Sequence, residues 1–295
     1  MSEHLGQQGI TMDVPQHGRY LTFKLVAGET GDIANLKASI QSASAIVADT
    51  SSVMGFGAQI LQLLGAKIDH SLVFPNFVNQ GISIPATPDD IWVWLRGEDP
   101  GDLLHTSNQV TAALASCFEV SAIVDGFKYK EGRDLSGYVD GTENPDGDDA
   151  VAAAFSDAGE SYVAVQKWQH NLEHFASLKQ QDKDHIIGRR LSDNEELDDA
   201  PISAHVKRTA QESFTPEAFM LRRSMPYSEG NQAGLMFVCF ANSPMPFKQQ
   251  LARMVGREDG VTDGLFRFSR PLTGAYYWCP GVKSGQLDLS KLSIG

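Results

Sequence analysis

The sequence predicts an α+β fold in which two ferredoxin-like units pack together. Three observations predict it. Strand-length apolar segments are each followed by helical apolar spacing. The order strand, helix, strands, helix occurs twice, which is the split βαβ plan. The composition, 42% hydrophobic and 21% charged over 295 residues, supplies core enough for two medium-sized units.

Taken in order, the first dozen residues lack periodicity and read as a mobile tail. Within residues 20–26, Leu21, Phe23 and Leu25 alternate onto one face, giving a strand. Ile33, Leu36, Ile40, Ala43 and Val47 then fall at helical spacing. Residues 90–95 (DIWVWL) form the next strand, and residues 102–117 a helix with Leu103, Leu104, Val110 and Leu114 among its apolar positions. The second half repeats the plan. Residues 162–168 are a strand, and Leu172, Phe175 and Leu178 mark a helix. Residues 235–240 are a wholly apolar strand covered on both faces, residues 246–255 a helix, and residues 266–268 and 276–278 late strands. The division expected is an N-terminal half over residues 1–125 and a C-terminal half over residues 126–295. Two long polar stretches, residues 128–152 and 180–215, fit neither unit. Such segments in a compact domain are commonly functional or disordered.

The net charge of −13 repels phosphate backbones and argues against a nucleic-acid partner. The three cysteines, Cys117, Cys239 and Cys279, are too widely spaced for a disulfide framework or a zinc knuckle. No basic stretch leads into an apolar one at the N-terminus, and no apolar run reaches about eighteen residues. The expectation is a soluble protein of the reducing cytoplasm with no membrane partner.

Three motifs fail on inspection. Gly55-Phe56-Gly57 opens like a dinucleotide fingerprint, but Ile60 stands where the third glycine belongs. Around Asn144–Asp148 the acidic residues resemble a calcium loop, yet the twelfth position is Ala153, so the segment reads as a solvated acidic turn. His170-x-x-Glu173-His174 matches an inverted zinc-protease pattern. A zinc hydrolase needs both histidines on one helical face, whereas His170 sits two residues beyond the strand ending at Trp168.

The segment GRDLSGYVDGTENP contains Gly137-x-x-Asp140-Gly141. Further on come Val165–His170, Ile187-Gly188-Arg189, Ala204-His205-Val206, Leu221–Tyr227 and Gly234–Phe237. Together, over residues 19–280, these strings resemble the dye-decolorizing peroxidase family, and most of all its intracellular bacterial branch. The resemblance implies a dimeric α+β barrel with haem b in the C-terminal half. It also implies hydrogen peroxide and small one-electron donors, such as dyes and phenols, as substrates, and a homo-oligomer. In some relatives a short C-terminal tail docks into a protein shell, and residues 288–295 stand in that place. A non-enzymatic haem-handling protein that stores, transfers or strips haem is the first alternative, and a zinc hydrolase built on His170, Glu173 and His174 the second.

The resemblance and the chemistry together suggest a role for each residue. His205 would be the iron ligand, since neutral imidazole ligates haem, and by resemblance Asp263 would be the carboxylate on its other ring nitrogen. Asp140, on a glycine-flanked loop with Gly141 and Thr142, would carry the proton between peroxide oxygens. Arg222 would stabilise charge on the departing oxygen and favour ionised Asp140. The family pattern selects Arg222 over Arg223, and on a strand the two point to opposite faces. Ser224 shares the face of Arg222 and can hydrogen-bond peroxide or water. Leu235 and Phe237 would wall the pocket. His170, Arg189 and Arg208 would meet haem propionates. Tyr138, Trp168, Tyr276, Tyr277 and Trp278 are the candidate surface aromatics for electron transfer.

Overall fold

The computed structural model describes residues 5–28 and 32–294. In the N-terminal unit, β1 (His17–Leu25), β2 (Val53–Phe56), β3 (Ile91–Gly97) and β4 (Phe118–Phe127) alternate with α1 (Ile33–Ala48), α2 (Ala58–Leu63) and α3 (Pro100–Leu114). Asp32 caps α1 by accepting from Asn35 N at 2.9 Å. Asp99 caps α3 by accepting from Gly101 N and Asp102 N, and Pro100 fits the first turn, where no amide partner is needed. The period of two then sorts the strands. Leu21, Phe23, Ile91, Val93 and Leu95 join Leu36, Ile40, Ala43, Val47, Val110 and Leu114 in one buried cluster. Tyr20, Trp92 and Trp94 belong to a second cluster on the opposite face.

The C-terminal unit contains β5 (Ser161–His170), β6 (Leu221–Arg222), β7 (Met225–Glu229), β8 (Gln232–Ala241), β9 (Ser269–Pro271) and β10 (Ala275–Cys279). Its helices are α4 (Gly147–Ala154), α5 (Leu172–Ser177), α6 (Gln180–Ile187), α7 (His205–Arg208) and α8 (Met245–Met254). The sheet runs β9-β5-β10-β2-β3-β1-β4-β7-β8-β6, and β5 also pairs β8. Eight strands therefore close into an antiparallel barrel. The two seams between the units are narrow, Trp278 against Phe56 and Gly126 against Tyr227. Each unit keeps the ferredoxin-like strand order, as expected.

Several expectations are corrected. The second strand β2, the short α2 and β4 had no clear period in the sequence; β4 is exposed at Glu119–Ile123 and shows little alternation. The unit boundary expected at residue 125 falls inside β4, which runs to Phe127. Residues 266–268 are not a strand. Asp263 accepts from Leu265 N and starts a 3-10 turn over Gly264–Arg267, so pairing begins at Ser269. The acidic turn at residues 144–148 leads into α4, and the polar stretch 180–215 holds α6 and α7.

Neither end is loose among the described residues. Gln7 accepts from Met54 N and donates to Met54 O and Pro280 O, and Ile10 is fully buried. Leu289, Leu292 and Ile294 are packed into the core, so residues 288–294 do not form a free docking peptide. No helix among the described residues is long and apolar enough to cross a membrane.

Candidate active site

The cleft lies between the outer face of the C-terminal half-sheet and α7–α8. The sheet supplies Gln166, Trp168, Arg222, Leu235 and Phe237, and α8 with the segment after it supplies Phe247, Gln250, Leu251, Met254 and Leu265. Asp140 and His205 enter from the two polar stretches. The structure thus brings together residues that are 82 apart in the chain, Asp140 and Arg222, and places His205 in the same cavity.

His205 is the first residue of α7. Its Nδ1 lies 2.8 Å from Asp263 Oδ2, and the Asp263 side chain is fully buried. A carboxylate there accepts from Nδ1–H, which fixes the tautomer and leaves Nε2 with its lone pair. Asp263 is itself held in place: its backbone N donates to Met254 O at 2.7 Å, and its Oδ1 accepts from Leu265 N at 2.8 Å. Gly188 closes α6 at φ +97°, and a Cβ there would meet Val206 Cγ2 at 2.3 Å. Only glycine lets α6 pass this close to the His205 helix.

The Asp140 loop is a short hairpin in which Arg133 pairs with Val139. It is pinned at three points. Asp134 Oδ1 lies 2.9 Å from His170 Nε2, Tyr138 donates to Asp184, and Asp140 N donates to Gly132 O at 3.0 Å. Gly141 follows at φ +76°, a conformation that side chains disfavour. Burial pushes the Asp140 carboxyl above its usual value; Arg222 opposes this and Asp134 reinforces it. Arg222 favours the ionised form, as expected, but desolvation outweighs its pull. Asp134 behaves the other way. Burial opposes its ionisation, but the hydrogen bond and charge of His170 hold it below the usual carboxylate range.

Arg222 and Arg223 do diverge. Arg222 faces the cleft, with its Nε buried and without a partner among the described residues. Arg223 donates instead to Ile10 O and Thr11 O on the far side. Ser224 opens on the same side as Asp140, Gly141 and Arg222 in a small adjoining channel, where its Oγ accepts from Val238 N at 3.3 Å. Sequence reasoning missed Asn144, whose side chain accepts from Arg222 N at 2.8 Å and donates to Arg222 O at 2.9 Å. It fastens the loop to the strand that carries the cation. Its signal was its place in GTENP, which had been read only as a turn. Gln166 was missed as well; it is buried in the wall with Nε2 unpartnered among the described residues.

Other expected residues go elsewhere. Thr142 is exposed and does not line the cleft. His170 lines it, but its ring nitrogens already meet Ser269 and Asp134. Arg189 pairs with Glu143 and Glu196, and Arg208 with Asp259, so neither cation is directed into the cavity. Carboxylates made available by tertiary contact have taken both. The aromatics proposed for the surface, Tyr138, Trp168, Tyr276, Tyr277 and Trp278, are all buried. The zinc pattern also breaks, since His170 ends β5 while His174 lies on α5. Among the described residues no three His, Cys, Asp or Glu side chains group to hold a metal.

The donor set fits haem. Among the described residues one imidazole has an Nε2 without a partner and a carboxylate behind it, apolar walls surround it, and a carboxyl and an unpartnered guanidinium Nε share the cavity.

Comparison with known proteins agrees. The family model described as Dyp-type peroxidase, C-terminal, matches residues 131–284. A dye-decolorizing peroxidase of Mycolicibacterium paratuberculosis is 34% identical over 210 residues, 67% of this chain and 59% of that protein. The chain thus spans about three fifths of the length of the curated relatives it matches. A dye-decolorizing protein from V. cholerae superposes with a TM-score of 0.83 at 26% identity, covering 98% of this chain and 99% of that one. A variant of DypB from Rhodococcus jostii, solved in complex with heme, gives 0.82 at 27% identity over 92% and 95%. With over half the chain matched by its model and the fold shared from end to end, this chain belongs to the Dyp-type peroxidase family.

Proposed function

We propose that the protein is a haem b peroxidase that reduces hydrogen peroxide and oxidises dyes, phenols or similar one-electron donors. The observation that carries the proposal is the shared cavity: His205 backed by buried Asp263, together with Asp140 and Arg222. His205 Nε2 would hold the iron. Haem, when bound, supplies an open coordination position for peroxide and the redox equivalents.

The protein's own residues do the rest. Ionised Asp140 takes a proton from one peroxide oxygen and delivers it to the other, which leaves as water. Its raised affinity for protons helps it hold the proton between taking it and delivering it. Arg222 stabilises negative charge on the departing oxygen with a fixed cation that needs no reorganisation. Asp263 favours electron donation by His205 by accepting from Nδ1–H. Storage of haem would not require the Asp140–Arg222 pair, which favours peroxide chemistry over haem handling. Three buried, unpaired cysteines accord with a reducing compartment such as the cytoplasm.

The test is hemin titration of the purified chain followed by peroxide and a phenolic donor. The expected result is a Soret band that responds to peroxide and donor turnover. His205→Ala should lose both, and an unchanged spectrum in that variant would refute the assignment of the ligand.

A further inference from the structure

His205, Asp140 and Arg222 stand on three short elements: the start of the four-residue α7, the end of a small hairpin, and the two-residue β6. Elements this short do not fix their own spacing; tertiary contacts must do it. One buried amide touches all three segments. Gln211 lies in the 3-10 turn that follows α7 and is 2% exposed. The turn continues directly from His205, because Thr209 N and Thr209 Oγ1 both donate to His205 O. Gln211 Nε2 donates to Glu143 O, three residues after Asp140. Its Oε1 accepts from Met220 N at 3.0 Å, two residues before Arg222. Its own carbonyl accepts from Ala218 N at 2.9 Å, which joins the turn to that segment a second time.

An amide suits this place. It donates and accepts at once, so one side chain satisfies a C=O and an N–H on different segments without burying a charge. The other ties do less across the site. Ahead of Asp140 the hairpin is held through Asp134 and Tyr138. Asn144 joins the Asp140 loop to the Arg222 backbone, so it links the two distal groups only to each other. Arg189 reaches the Glu143 carboxylate from beside Gly188, but the Glu143 side chain is 54% exposed, and ion pairs open to solvent hold little. Gln211 is the buried connection between the His205 segment and both distal segments.

We propose that Gln211 is a positioning residue that sets the gap between His205 and the Asp140–Arg222 pair, and with it where a peroxide oxygen sits relative to both. It does not line the cleft and acts only through the segments it joins. The proposal rests on the peroxidase reading.

The test compares Gln211→Met with Gln7→Met in the haem-loaded full chain. Both remove an amide that is 2% exposed and replace it by an unbranched side chain; Gln7 bridges Met54 and Pro280 and does not line the cleft. Two quantities are read. One is the rate constant for peroxide by stopped-flow absorbance. The other is the dissociation constant of fluoride, an anion that takes the open iron position and a hydrogen bond from a distal cation with no proton transfer. Gln211→Met should slow the peroxide step about 10–100-fold and weaken fluoride about tenfold, with hemin uptake retained. Gln7→Met should lower the thermal midpoint and change neither quantity. Wild-type values in Gln211→Met, or equal losses in both variants, would overturn the proposal. Should Gln211→Met not fold, Gln211→Glu, which keeps the acceptor for Met220 N and replaces the donor to Glu143 O, carries the same comparison. A wild-type chain that takes up no hemin, or whose band ignores peroxide, would instead overturn the peroxidase reading and this inference with it.

Discussion

The two units share a strand order and differ in what lies on the outer face of the sheet. In the N-terminal unit that face is apolar apart from the Arg19–Asp125 ion pair, and α1 and α3 cover it so completely that Leu36, Ile40, Val47, Val110 and Leu114 are wholly buried. In the C-terminal unit the same face carries Gln166 and Arg222 among apolar residues, and the segment over residues 180–215 inserts α6 and α7 beside it. A sheet face that includes a cation and an amide cannot be sealed by a helix without leaving buried polar groups unpaired. The cleft is the result. One topology thus yields a closed structural half and an open chemical half, and the change is made by a few side chains and an insertion.

Four substitutions probe that contrast, in order of expected effect. Asp140→Asn removes the proposed proton carrier, and peroxide reactivity should fall by about 10²–10⁴ while the haem band persists. Stopped-flow absorbance would show it, and near-normal reactivity would remove Asp140 from the mechanism.

Arg222→Leu should cost about 10²–10³ in the same step. It also carries a pH signature. Burial raises the Asp140 pKa, and reactivity requires the ionised form, so activity should be lost on acidification at a higher pH than for an ordinary carboxylate. Arg222 partly offsets that rise, so its loss should move the acid limb further upward. A limb that stays put or moves down would show that the two groups do not interact.

Asp263→Asn keeps the shape behind His205 and removes the charge. A loss of about 10–100-fold in haem affinity or activity is expected by hemin titration. Leu36→Ala lies in the sealed half and should lower stability by about 2–5 kcal/mol in denaturant unfolding, with no change in the haem spectrum or peroxide reactivity. A large effect on the site would mean that the halves are coupled through the barrel.

Much of this was legible beforehand because it is local. Periodicity placed β1, α1, β5 and α8, since a half-buried strand or helix must repeat its apolar residues at its own period. Elements with weak periods were missed: β4 because much of it faces solvent, and β2 because it is short and carries a glycine. The family strings selected Asp140, Arg222, His205 and Asp263, and the structure brings all four to one site.

By itself the sequence determined the fold class and the duplicated plan, because these follow from residue type and spacing, while its resemblance to a family singled out the candidate site residues. Tertiary structure decided which charges were free. Arg189 and Arg208 looked equivalent to Arg222 in the chain, yet Glu143, Glu196 and Asp259 neutralise the first two. Asn144 holds Arg222 by its backbone and leaves the guanidinium for the cleft. It also decided that burial, rather than the neighbouring cation, governs Asp140. Partner choice and desolvation depend on residues far apart in the chain, and only folding brings those together.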